Sequence, residues 1–104
     1  MTIVISSVKL FFDTSEFMRP TKLREAVCSE VVRILHNERK RKKISMTRLA
    51  EQSGLSQSMI SLVERDLRNP TLDTLLRLTD VLEIELSTVL VKAKRTASQR
   101  ASEG

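Results

Sequence analysis

The segment from Ser45 to Pro70 constrains the fold of this chain more than any other. Its key residue is Gly54, because the chain has only two glycines and the other one is the last residue. Apolar residues at helical spacing, among them Leu49 before the glycine and Ile60 after it, indicate a helix on each side. Glycine adopts positive φ without steric strain, which suits a tight turn. The segment therefore predicts two short helices joined by a glycine turn.

Two helices joined by a short turn that contains a glycine form the helix-turn-helix motif. With Ser56 as the N-cap, the second helix would run from Gln57 to about Arg65. At roughly 100° per residue, polar and apolar residues of this helix fall on opposite sides. The outer side of this helix has groups that can read base edges in a major groove. The Gln57 amide suits adenine, the serine hydroxyls suit several bases, and Leu62 could meet a thymine methyl group. The predicted base-contacting residues are Gln57, Ser58, Ser61 and Leu62.

The positive charge of the chain is concentrated just before the motif. The sequence has 18 Lys and Arg against 13 Asp and Glu, a net charge of +5, and residues 39–43 are all basic. A one-sided basic surface favours a polyanion such as nucleic acid, although a solvated basic helix end is the alternative. Helix N-termini add backbone N–H groups that bind phosphate. The predicted phosphate-contacting residues are Lys42, Lys43, Ser45, Arg48, Ser56, Arg65, Arg68 and Asn69.

The rest of the chain predicts three more helices and one extended segment. Helical spacing of apolar residues indicates helices over 21–42, from about 72 to 82, and over 86–92. Residues 93–104 lack apolar periodicity and are predicted to be a flexible basic tail. The β-branched and aromatic residues of 1–20 predict an N-terminal extension with a short strand, unless translation starts at Met18. The expected architecture is all-α, with a helix-turn-helix domain over 21–92.

The segment ISMTRLAEQSGLSQSMISLVERDLRNPTLDTLLRLTDVLEIELSTVL, with NERK before it, resembles the Cro and phage-repressor type of helix-turn-helix, often called the Xre family. The resemblance implies a five-helix, lambda-repressor-like domain that binds operator DNA as a dimer and regulates transcription. It also implies a structural ion pair between Arg39 and Glu64. Lys43 and Asp66 stand where the family often has glycine. The turn at Lys43 is expected to be longer or more strained, whereas aspartate tolerates the left-handed conformation better than most residues. Leu62 is an apolar residue at a common base-reading position.

Other function classes find little support in the sequence. His36 and Cys28 are the only histidine and the only cysteine, and eight residues of helix, about 12 Å of rise, would separate them. No catalytic or metal-binding motif is present, so we expect neither an enzyme nor a cofactor, and no site for a small-molecule ligand is evident. No apolar run is long enough for a membrane span, so a cytoplasmic protein is expected.

The sequence therefore predicts a sequence-specific regulator, in the first place a repressor, that binds double-stranded DNA as a homodimer. Apolar residues of the fifth helix, Leu86, Val89 and Leu90, together with the N-terminal strand, are the predicted source of a dimer interface. The alternative is a protein-interaction module on the same scaffold, such as an antitoxin-like or accessory subunit. The outward position of Leu62 and the aromatic N-terminal segment favour that alternative.

Overall fold

The computed structural model describes residues 20–103 of the chain. This part contains five α-helices: α1 (Pro20–Arg41), α2 (Met46–Ser53), α3 (Gln57–Glu64), α4 (Leu72–Leu82) and α5 (Leu86–Glu103). The all-α, lambda-repressor-like prediction is confirmed. The strand predicted in residues 1–20 and the start at Met18 lie outside the described residues.

Three helices begin at hydroxyl side chains, those of Ser45, Ser56 and Thr71, and Ser56 is the cap predicted above. Each hydroxyl accepts a hydrogen bond from the backbone N–H three residues later, at 3.0 Å for α2 and α3 and 3.1 Å for α4. Such caps satisfy N–H groups that have no partner within the helix and contribute about 1 kcal/mol each. Local sequence chemistry therefore fixes where these helices start.

The ends of α1, α3 and α4 share one geometry. The residue after each helix or its cap has a left-handed backbone although none is glycine: Lys43 (φ 59°), Asp66 (φ 60°) and Glu83 (φ 58°). In each case the next N–H bonds back to a carbonyl five residues earlier, for example Ile44 to Arg39 at 3.1 Å. This is the Schellman motif, in which glycine is the usual residue. The strain expected at Lys43 is present as positive φ, which costs roughly 1–2 kcal/mol for most L-residues, and Asp66 has the left-handed backbone that aspartate tolerates better than most.

The core lies at the centre of the five helices and receives side chains from each of them. α3 contributes Ile60 and α2 contributes Leu49, and both side chains are almost completely shielded from water. The remaining buried members of this cluster come from the three other helices and are Val31, Leu35, Leu78, Leu82, Val89 and Ala93. Burying such side chains stabilises a fold by about 1.5–3 kcal/mol for each large aliphatic residue. The small helix-turn-helix pair is thus held as a unit on the other three helices.

The fifth helix corrects the predicted tail. α5 continues to Glu103, beyond the predicted end near Lys92, and packs mainly along α1. Ala93 and Ala97, one turn apart, are fully buried. Their small side chains let α5 approach the neighbouring helix closely. Near the far end, Arg100 Nη1 lies 2.6 Å from Glu30 Oε2 of α1. Residues 93–103 are therefore helical, and the prediction of a flexible tail is wrong for them.

The predicted dimer surface also changes. Val89 is buried in the core and cannot supply free apolar surface, and Leu86 is half-buried. Leu90 is exposed, as is its neighbour Val91. Of the three α5 residues named from the sequence, only Leu90 is exposed.

Candidate nucleic-acid interface

The outer side of α3 brings the four predicted base-contacting residues together. Gln57 and Ser58 are exposed at the start of the helix, whereas Ser61 and Leu62 are half-buried one turn later. Ile60 and Val63 are buried on the opposite side. The four outer residues line one shallow concave surface together with Arg65 and Met46. We call these six residues, Met46, Gln57, Ser58, Ser61, Leu62 and Arg65, the reading surface.

Met46 is the member of the reading surface that the sequence analysis missed. It is the first residue of α2, directly after the cap Ser45. Helical spacing places residues around one helix but does not say how two helices cross. The position of Met46 beside α3 could therefore be learned only from the packing of α2 on α3.

Most of the predicted phosphate-contacting residues are found around the two helix N-termini and the loop after α3. Lys43, Ser45 and Arg48 lie at the start of α2, and Ser56 lies at the start of α3. Arg65, Arg68 and Asn69 are exposed at or beyond the end of α3. Free N–H groups, positive helix ends and exposed cations are the groups that bind phosphate oxygens.

Lys42 is an exception among the predicted phosphate contacts. Its ammonium group donates a hydrogen bond to the carbonyl of Leu82, the last residue of α4. It also lies 3.5 Å from Glu38 Oε2. A cation at a helix C-terminus satisfies carbonyls that have no partner within the helix and complements the negative end of the dipole. Lys42 therefore joins α1 to α4, and its ammonium group is engaged there instead of at a phosphate.

The C-terminal end of α3 is held by α1 through Glu64. Arg39 Nε donates to Glu64 Oε2 at 2.7 Å and Arg39 Nη2 donates to Oε1 at 2.9 Å, so the pair is two-pronged. A third guanidinium nitrogen of Arg39 donates to the Ile44 carbonyl at 2.8 Å. His36 Nδ1 lies 2.9 Å from Glu64 Oε1. This cluster fixes the orientation of the helix that carries the reading surface.

The pKa of the Glu64 carboxyl lies below its ordinary value. Burial raises the pKa, but the hydrogen bonds and positive charge of Arg39 and His36 together outweigh burial. A carboxyl whose pKa is lowered in the folded state stabilises that state above its unfolded pKa of about 4.3. The contribution is lost as the pH falls through the lower, folded pKa. The carboxyl group that helps to orient α3 thus makes the stability of the fold depend on pH in the acidic range.

We expect a Glu64→Gln variant to differ most from the wild type near neutral pH. The difference in unfolding free energy, measured by urea denaturation from about pH 7 to about pH 3, should shrink as the wild-type carboxylate becomes protonated. Parallel stability curves for the two proteins across this range would show that Glu64 is not the linked group.

Arg77 of α4 holds the turn between α2 and α3. Its Nη1 donates to the Ser53 carbonyl at 3.0 Å, and its Nε donates to Asp73 Oδ2 at 2.8 Å. Gly54 has φ 77°, and a Cβ on this residue would lie 3.0 Å from Arg77 Nη1. The turn therefore needs glycine for two reasons, the positive φ and the space that the guanidinium group occupies.

A double-mutant cycle separates these two reasons. Gly54→Ala should cost about 1–2 kcal/mol from the left-handed backbone alone, and more while Arg77 is present. In an Arg77→Ala background the same substitution should cost less, with a coupling of about 0.5–1 kcal/mol. Urea denaturation of the four proteins measures the coupling. If the costs of the two single substitutions sum to the cost of the double variant within about 0.3 kcal/mol, Arg77 moves aside freely.

Histidine, cysteine and acidic side chains do not assemble into a metal site in the part of the chain that the structure describes. Within it, no three His, Cys, Asp or Glu side chains are grouped so that they could hold a metal ion. His36 is engaged with Glu64, and Cys28 is a half-buried free thiol on the same helix. Among residues 20–103, no helix combines the length and the apolar character that crossing a membrane requires.

Comparison with known proteins points to one family. The family model described as helix-turn-helix matches residues 35–89, more than half of the chain. Two similar proteins, one from each of two strains of Mycobacterium tuberculosis, are both named as uncharacterized HTH-type transcriptional regulators. Each is 36% identical over 59 residues, which cover 57% of this chain and 42% of the relative. The chain thus spans less than half the length of these relatives. No solved structure gives a significant match.

Proposed function

Since the chain belongs to the helix-turn-helix family of the Cro/C1, Xre-like type, we propose that it binds double-stranded DNA sequence-specifically and regulates transcription. The observation that carries this proposal is the reading surface. Four side chains able to contact base edges share one concave surface on α3. Exposed cations lie at the neighbouring helix ends. An α-helix fits the major groove, so α3 would enter it with Gln57 foremost.

The proposal divides the residues into two roles. Gln57 would make paired hydrogen bonds to an adenine, while Ser58 and Ser61 bond other base edges. Phosphate contacts set the register and the salt dependence without reading sequence. The residues assigned to phosphate are Lys43, Ser45, Arg48, Ser56, Arg65, Arg68 and Asn69, all of them exposed.

We further propose that two copies act together on a two-fold operator. A homodimer would place two α3 helices on half-sites about 34 Å apart, one turn of DNA. Repression would follow if such a dimer occupied promoter DNA and excluded other proteins from it. The DNA-binding domain would comprise α1 to α5, with residues 1–19 as a separate extension and the cytoplasm as the expected location.

A selection of bound genomic fragments, followed by titration of the best duplex at about 50 and about 200 mM salt, tests the function. Affinity should fall steeply with salt, with a logarithmic slope of about −0.9 per phosphate contact. Arg48→Ala and Arg68→Ala should each reduce the slope by about one contact and weaken all sequences alike. Arg41→Ala is the matched control, because Arg41 is exposed but already bonded to Glu38 on α1. It should leave the slope unchanged.

Failure to retain any duplex would favour the rival function, a protein-interaction module such as an antitoxin-like or accessory subunit. The observation that supports the rival is the apolar surface outside the core, which includes Leu72 and Leu76 of α4.

For the homodimer, sedimentation at micromolar concentration with and without the selected duplex is the direct test. A profile that stays monomeric in both conditions would contradict it.

A further inference from the structure

The reading surface contains two apolar side chains among four polar ones. Leu62 is half-buried on α3 and Met46 is half-buried at the start of α2, and both line the same concave surface as Gln57, Ser58, Ser61 and Arg65. Two helices therefore supply one apolar spot at a place that is otherwise suited to hydrogen bonding. Met46 also packs against the core, and the part of each side chain that stays uncovered offers apolar contact to a ligand at this surface.

The major groove of unmodified DNA offers few apolar groups. Each base edge there presents hydrogen-bond donors and acceptors, and thymine alone adds a methyl group, at C5. Methionine is unbranched and polarizable, so it adapts to the shape of a small apolar partner. A leucine and a methionine that line the same concave surface offer apolar contact to such a methyl group and no strong hydrogen-bonding group to a polar edge.

We infer that Met46 and Leu62 select a base pair whose pyrimidine carries a C5 methyl group, which is thymine in unmodified DNA. This inference rests on the proposed DNA binding and names the chemistry that part of the same surface reads. It assigns Met46 a role in specificity although Met46 lies on α2 and not on the helix that carries the other base-contacting residues. Gln57 and the serines read hydrogen-bonding groups, and the apolar spot reads the methyl group beside them.

Deoxyuridine tests the inference, because it differs from thymidine only by lacking the C5 methyl group. In the selected duplex, each thymidine is replaced in turn and the affinity is measured by fluorescence anisotropy. We expect one position per half-site at which the replacement weakens binding about fourfold, the effect of removing one buried methyl-sized group. In Leu62→Ala the same replacement should have almost no effect, and in Met46→Ala a reduced one.

Further arms of the experiment identify the source of the methyl group and control for general loss of apolar surface. At the sensitive position, 5-methylcytosine should bind better than cytosine if the methyl group itself is read. Leu67→Ala is the matched control, because Leu67 is 64% exposed in the loop after α3 and lies outside the reading surface. This variant should keep the full sensitivity to deoxyuridine. Circular dichroism confirms that each variant is folded.

The possible failures are distinguishable. A duplex that binds in a salt-dependent manner but tolerates deoxyuridine everywhere would overturn this inference and leave the proposed function standing. The inference alone would also be overturned if Leu62→Ala and Met46→Ala both kept the wild-type sensitivity. Absence of binding to every duplex would overturn the proposed function and this inference together.

Discussion

Replacing Arg39 with alanine is expected to lower the free energy of unfolding by about 3–5 kcal/mol. The substitution would leave the Glu64 carboxylate, whose side chain is only 10% exposed, without its main partner. Breaking a buried ion pair on one side leaves an uncompensated charge, and the cost of that charge exceeds what the pair itself contributes. The Ile44 carbonyl would also lose a hydrogen-bond donor. Urea denaturation followed by circular dichroism measures the change.

Arg41→Ala is the matched control for this prediction. Arg41 lies two residues further along α1 and also bonds a glutamate, Glu38, but its side chain is 67% exposed. Exposed ion pairs contribute about 0–1 kcal/mol, so this variant should unfold almost like the wild type. If the two variants lost the same stability, the claim that the Arg39–Glu64 cluster holds α3 in place would be wrong.

The second large effect is expected at Ala97, where leucine should destabilise the fold by about 1–3 kcal/mol. Ala97 is fully buried on α5, which packs mainly along α1, so three additional carbon atoms have no exposed space to occupy. The two helices would have to separate, which would also disturb Ala93 and the Arg100–Glu30 ion pair. Thermal and urea unfolding of the variant would both show the loss.

Ser98→Leu provides the comparison for Ala97→Leu, because Ser98 is the next residue and is exposed. Leucine has at least the helix propensity of serine, so this variant should be neutral or slightly stabilised. Equal tolerance at both positions would mean that the end of α5 does not pack on α1 in solution. The prediction thus tests the part of the fold for which the sequence-based expectation was wrong.

Elements whose chemistry is local could be predicted from the sequence. Hydroxyl caps such as Ser45 and Ser56, and the glycine at position 54, mark helix ends by hydrogen bonds and backbone conformation within a few residues. The apolar side of α3 follows from helical spacing alone. The partnership of Arg39 and Glu64 followed from resemblance to a family, because the two residues are far apart in the sequence.

The features that the sequence did not reveal depend on how helices pack against each other. Residues 93–103 lack large apolar side chains, yet Ala93, Ala97 and Ala101 recur at a spacing of four. That spacing was the available signal for a close helix contact. Nothing local distinguishes Lys42, which bonds the end of α4, from Lys43, which remains exposed. The contribution of Met46 to the reading surface likewise arises from the crossing of two helices.

The most direct test of base reading by α3 is a comparison of Gln57→Ala with the wild type on the selected duplex and on its single-base-pair variants. If α3 reads bases, the wild type should discriminate at one base pair by about 1–3 kcal/mol in binding free energy, and Gln57→Ala should lose that discrimination while keeping its preferences elsewhere. Gln99→Ala, an exposed glutamine on α5, should behave like the wild type. A Gln57→Ala variant that keeps every preference, or that weakens binding to all duplexes equally, would contradict base reading by this helix.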